Sequence, residues 1–146
     1  MSPSPHRARS AARVLLAVLM LGIGALHFVA DEIFVQIVQP FLPAPMLLVW
    51  VSGVIEIALG AALLHPRTRR AAGWGLVSLY VAVFPANIYM AVENVQIVGL
   101  PAWAAQPSQT SLWLRLPFQI VFIAWALWVS RPATTLPESD AKGRVA

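Results

Sequence analysis

The chain of 146 residues contains no cysteine. That excludes a disulfide framework, a CxxC redox pair and any thiolate-held metal. Charge is also scarce: 11% of the residues are charged and 59% are hydrophobic, with a mean hydropathy of +0.73. A soluble domain of this size needs far more charge to cover its surface, so the composition is that of a membrane protein with the lipid bilayer as its first partner. No Walker, GxGxxG or GxSxG pattern occurs, which leaves no self-contained phosphate-cradling or nucleophile-elbow motif. The net charge is +4, but the basic residues neither share one helix face nor alternate with aromatics, and nucleic acid is not a fitting partner.

What the chain does have is four long apolar runs, at 12–30, 45–64, 71–91 and 112–130. Each has about twenty residues, enough to span roughly 30 Å of hydrocarbon as a helix. The ten-residue alternating segments of a membrane β-barrel are missing. The expected fold is therefore an all-α membrane protein, a four-transmembrane-helix bundle over 12–130. Its flanks, 1–11 and 131–146, are rich in Pro, Ser and charge and read as disordered tails. The first run is expected to stay as a helix rather than be cleaved, because its end, LHFVA, lacks a small residue at the required place and the run is long.

The basic residues explain their own placement. Arg7, Arg9 and Arg13 precede the first run, Arg67, Arg69 and Arg70 fill the link HPRTRR, and Arg131, Lys142 and Arg144 follow the last. Every Lys and Arg except Arg115 thus falls on one side, whereas the opposite loops carry Asp31, Glu32 and Glu93. The positive-inside rule predicts cytoplasmic N and C termini. A repeat fits this topology: Val35-Gln36-Ile37-Val38 returns as Val95-Gln96-Ile97-Val98, each copy just past the outer end of an odd-numbered helix. Chance in a Val-rich chain is one reading; a duplicated helical hairpin in parallel orientation is the other.

Five polar residues lie at membrane depth: His27, Glu56, Asn87, Arg115 and Gln119. A charge at the bilayer centre costs about 2.5–3.5 kcal/mol, so such groups face the bundle interior and seek one another. Gly53, Glu56 and Gly60 share a stripe on the second helix, and small residues at that spacing admit a close neighbour. Gly75, Ser78, Ala82 and Ala86 form the corresponding stripe expected on the third helix, Gly24, Met20 and Ala17 accompany His27 on the first, and Phe122 and Ala126 accompany Arg115 and Gln119 on the fourth. Pro85 and Pro117 each free a backbone carbonyl one turn back, and such breaks are tolerated where they line a cavity or are buried in protein. The expected site is a polar pocket in the outer half with Glu56 at its floor and the other four on its walls. Trp50, Trp74, Trp103 and Trp113 could wall it, or could mark the membrane interfaces.

Blander roles stand beside these. Asn87 and Gln119 could be interhelical glue, Arg115 could snorkel to the boundary, and His27 with Glu56 could be a structural pair rather than a proton relay. A bis-His haem has no support, because His27 and His65 lie at opposite membrane levels; His27 with Met46 or Met90 is geometrically open but carries no motif. His27 and Glu56 alone are too few to hold a metal.

The stretches SGVIEIALG, VFPANIYM and RLPFQ, within a pattern running over residues 14 to 130, resemble the DoxX family of small membrane proteins, grouped with redox-associated MauE/DoxX-like proteins. The resemblance implies a four-helix bundle in the bacterial cytoplasmic (inner) membrane and an association with quinone-linked redox complexes. Thiol chemistry of the MauE kind has no cysteine to work with here. The expected function is thus an accessory component of a membrane redox system, binding a quinone-like or other small amphipathic molecule; at most it would be a subunit of a quinone-linked oxidoreductase. A proton-coupled small-solute carrier, acting as a homo-oligomer, and a non-catalytic assembly factor are the alternatives.

Overall fold

A computed structural model describes residues 5–38, 40, 42–101 and 106–132. Among these there are five helices and no strand: α1 (Pro5–Val29), α2 (Asp31–Val35), α3 (Pro45–Leu64), α4 (Arg69–Val92) and α5 (Gln109–Ser130). Four of them, all but α2, are long and apolar enough to cross a membrane. Their outward faces are built from Val14, Val18, Val54, Val81, Phe118 and Ile120, all more than half exposed, which is surface suited to lipid.

The helix ends follow from local chemistry. Pro5 suits the first position of a helix, where its missing N–H is not needed, and the Ala- and Arg-rich residues after it are strong helix formers. Residues 5–11 are therefore helical, contrary to the expectation of a disordered tail from 1 to 11; residues 1–4 and 133–146 lie outside the described residues. Pro45 opens α3 in the same way. In the link to α4, the Thr68 hydroxyl donates 2.7 Å to the Ala62 carbonyl and closes the end of α3. Ser108 caps α5, accepting from the Ser111 amide at 3.2 Å, so the helix starts three residues before the apolar run.

The helices pack as two antiparallel pairs, α1 with α3 and α4 with α5, joined mainly through α3 and α4. Between helices in lipid there is no hydrophobic drive, so close backbone approach decides which faces meet. Gly53 lies where an added Cβ would be 2.7 Å from His27 Cβ and 2.9 Å from the Gly24 carbonyl. Gly60 abuts Met20 and the Ala17 carbonyl, Gly75 meets the Leu59 side chain, and Gly73 lies directly against Ser130. On α1 the buried stripe is Ala17, Met20, Gly24 and His27, as its sequence suggests. On α4 the buried face is instead Ala72, Gly73, Leu76 and Leu79, while Ser78 is exposed and donates back to the Trp74 carbonyl.

One apolar core, around Leu16, Leu63, Leu76 and Val129, fills the end of the bundle where the arginines lie. There Arg13 is buried and its Nε donates 2.9 Å to the Val129 carbonyl at the end of α5. A second core, Met90, Ala91, Ile97 and Leu112, closes the opposite end. The two copies of the repeated tetrapeptide meet beside it. The Gln36 amide brackets Val98, accepting from its N–H at 2.8 Å and donating to its carbonyl at 3.1 Å. The second copy does not reciprocate: Gln96 donates to the Asn94 carbonyl at 3.0 Å.

Candidate functional site

Between the two cores, toward the end away from the arginines, lies a cavity of about 440 Å³. That is within the size range of small-molecule sites. Its lining is mostly apolar, with Ile55, Leu79 and Val83 on the walls and Phe34, Ile37 and Leu42 over them. Four polar residues reach it: His27 from α1, Ser52 and Glu56 from α3, and Asn87 from α4.

Glu56 and His27 face each other because Gly53 and Gly24 let α1 and α3 touch. Glu56 Oε2 lies 3.5 Å from His27 Nδ1. That nitrogen is closer to the Ile23 carbonyl, at 2.9 Å, and it can deliver only one hydrogen. The helical carbonyl takes it, so Glu56 Oε2 remains buried without a hydrogen-bond partner. A lone buried acceptor of this kind is costly unless something fills it. The His27 ring is held on its other side by Phe34, stacked with centroids 4.0 Å apart and planes at 28°. Phe34 belongs to α2, a helix that hydropathy alone does not single out.

Asn87 is fixed from behind. Its Nδ2 donates 2.8 Å to Gln119 Oε1, and Gln119 Nε2 donates to the Tyr80 carbonyl. That carbonyl is beside the one Pro85 frees, that of Val81, so a side chain of α5 grips α4 next to the break. Gln119 is buried but is spent on this bridge and does not line the cavity. Arg115 is exposed, with Nη1 3.8 Å from the Met90 sulfur, and does not line the cavity. The expected set of five therefore divides: His27, Glu56 and Asn87 share the cavity, Gln119 supports Asn87, and Arg115 stands apart.

Other expectations also separate here. Trp50 points to the surface, its Nε1 donating 3.1 Å to Asp31 Oδ2, Trp113 is exposed, and Trp74 lines a different hollow at the arginine end. None of the three walls this cavity, and Trp103 lies outside the described residues. Neither Met46 nor Met90 joins His27 in the cavity lining. Ser52, which was not among the residues expected from the sequence, lines the cavity with its hydroxyl donating 2.8 Å to the Val49 carbonyl.

No curated protein and no solved structure matches the chain. The family model described as Domain of unknown function (DUF8561) matches residues 16–130, from the first core residue of α1 to the last residue of α5, and the chain belongs to that family.

Proposed function

We propose that the protein binds a small, mainly apolar molecule with one polar end in the His27–Glu56–Asn87 cavity, as an accessory component of a membrane redox system. The observation that carries this is the orphaned Glu56 Oε2 in an apolar cavity. A quinone-like ring suits the lining: in its reduced form a ring hydroxyl would donate to Glu56 Oε2, with the Asn87 side of the cavity supplying a second polar contact. The resemblance to DoxX-type proteins points the same way. A redox role would draw its electrons from a partner membrane oxidoreductase, while Glu56 and His27 would exchange protons with the bound ring.

The finer topology belongs to the same reading. Among the described residues every Arg except Arg115 lies toward one end, which supports cytoplasmic termini. The pairing of α1 with α3 and of α4 with α5, and the meeting of the two repeated segments, support a duplicated hairpin. That two-halved arrangement around a central cavity also favours a second function, proton-coupled carriage of a small solute; pH-dependent flux in proteoliposomes is its signature.

The test is to purify the protein into nanodiscs, record its absorption spectrum and extract it for mass spectrometry. The expected result is one small molecule per chain, lost in Glu56→Gln while the variant still inserts and stays monodisperse. A wild-type protein carrying only bulk lipid, or a variant keeping the same molecule, overturns the reading. An empty protein with a stoichiometric partner would instead mark an assembly factor.

A further inference from the structure

At the arginine end, a separate hollow of about 400 Å³ opens between the start of α4 and the end of α5. Arg70 and Trp74, one turn apart on α4, make one wall; Leu127, Ser130, Arg131 and Pro132 make the other. Two arginines from separate helix ends thus line one space. Each offers a planar fork of donors suited to paired oxygens. No Asp or Glu lines the hollow, and the carboxylates among the described residues, at Asp31, Glu32, Glu56 and Glu93, all lie elsewhere. Nearby, Arg9 and Arg69 are close enough to repel Arg13, and Arg69 Nε is buried without a partner. The surface around the hollow therefore gains from an added anion.

The rest of the hollow is apolar. Trp74, 57% exposed, and Leu127 lead away from the arginines toward the lipid-facing sides of α4 and α5. A ligand that satisfies both parts carries an oxyanion with several acceptor oxygens and an attached hydrocarbon tail. A free anion would leave the Trp74 side unused. Basic pockets at the ends of membrane helices bind lipid headgroups on this principle.

We propose that this hollow binds the phosphate group of an anionic phospholipid, held by Arg70 and Arg131, with an acyl chain lying along Trp74 and Leu127. The site is independent of the cavity beside Glu56. Positive charge at this end of the bundle would by itself attract anionic lipid diffusely, so the test compares variants of equal charge. Arg70→Gln/Arg131→Gln removes the two arginines of the hollow. Arg7→Gln/Arg67→Gln removes two exposed arginines of the same end that do not line it.

Each protein is placed in phosphatidylcholine nanodiscs doped with phosphatidylglycerol, and native mass spectrometry counts the lipid it retains on release. The expected result is one phosphatidylglycerol on the wild type and on the Arg7/Arg67 variant, with retention about tenfold lower or less in the Arg70/Arg131 variant. Equal loss in both variants would overturn the proposal in favour of diffuse attraction. Equal retention of phosphatidylcholine would overturn it too. Displacement of the lipid by millimolar inorganic phosphate would overturn the lipid assignment and leave the arginines with a free phosphate ion.

Discussion

Adding one methyl group at Gly53 should drive α1 and α3 apart, whereas the same change at Gly22 should not. An added Cβ at Gly53 would lie 2.7 Å from His27 Cβ, 2.9 Å from the Gly24 carbonyl oxygen and 3.0 Å from Phe28 Cε2. Comfortable carbon contacts are about 3.5–4.0 Å, so the helices must separate or tilt by roughly 1 Å. Two of those three neighbours are a backbone oxygen and a Cβ, which cannot rotate away. Overpacking of this kind costs about 1–3 kcal/mol, against a helix-propensity gain of about 1 kcal/mol for Ala over Gly. The clash outweighs the gain, for a net loss of up to about 2 kcal/mol. At Gly22 nothing lies within 4 Å, so only the propensity gain remains and the sign reverses.

The assay is reversible unfolding in mixed micelles at rising dodecyl sulfate, followed by tryptophan fluorescence. Gly22→Ala should shift the midpoint slightly upward and Gly53→Ala clearly downward. The displaced atom belongs to His27, so Gly53→Ala should also weaken whatever binds beside Glu56. If Gly53→Ala proves as stable as Gly22→Ala, the close approach of α1 and α3 is wrong, and with it the placement of His27 against Glu56.

Three further outcomes test other contacts. Gln119→Leu should destabilise by about 1–2 kcal/mol, the range for an interhelical hydrogen bond in a membrane, since it strands the Asn87 amide and removes a second bond to the Tyr80 carbonyl. Combined with Asn87→Leu it should cost less than the sum of the two, and strict additivity in a double-mutant cycle would show that the pair does not form. Gln36→Ala should speed hydrogen exchange at the Val98 amide, read by mass spectrometry, because that amide loses its acceptor; Gln96→Ala should leave Val38 unchanged. Trp50→Phe should leave stability within about 0.5 kcal/mol, because its bond to Asp31 is exposed, and a larger loss would place Trp50 in the core.

The four spans were legible because length and hydropathy alone determine what can cross a bilayer. The α1 stripe was legible as well, since His27, Gly24, Met20 and Ala17 all meet the Gly53 and Gly60 stripe of α3. On α4 the same cue failed. That helix has two partners, so Gly75 meets Leu59 of α3 while Gly73 meets Ser130 of α5, and with apolar residues on every face no single small-residue stripe reveals both. The polar set was legible as a list but not as a site, because which group is consumed by a neighbour depends on distances of a few ångströms. Gln119 and Asn87 satisfy each other, and His27 gives its hydrogen to its own helix, which leaves Glu56 as the one with an open valence.

If the hairpins are copies, position 27 corresponds to 87 and position 34 to 94. In the first half His27 and Phe34 stack together at the cavity, and Phe34 sits in a helical turn. In the second half Asn87 takes a hydrogen-bond partner across the bundle, and Asn94 adopts a left-handed backbone, φ 49°, a conformation Asn tolerates better than a large aromatic. That turn bends Gln96 back onto Asn94 and removes it from any bracket of its own. The departures from symmetry are thus coupled, and in the first half they put an ionisable, stacked ring beside Glu56 where a plain duplicate would have left an amide.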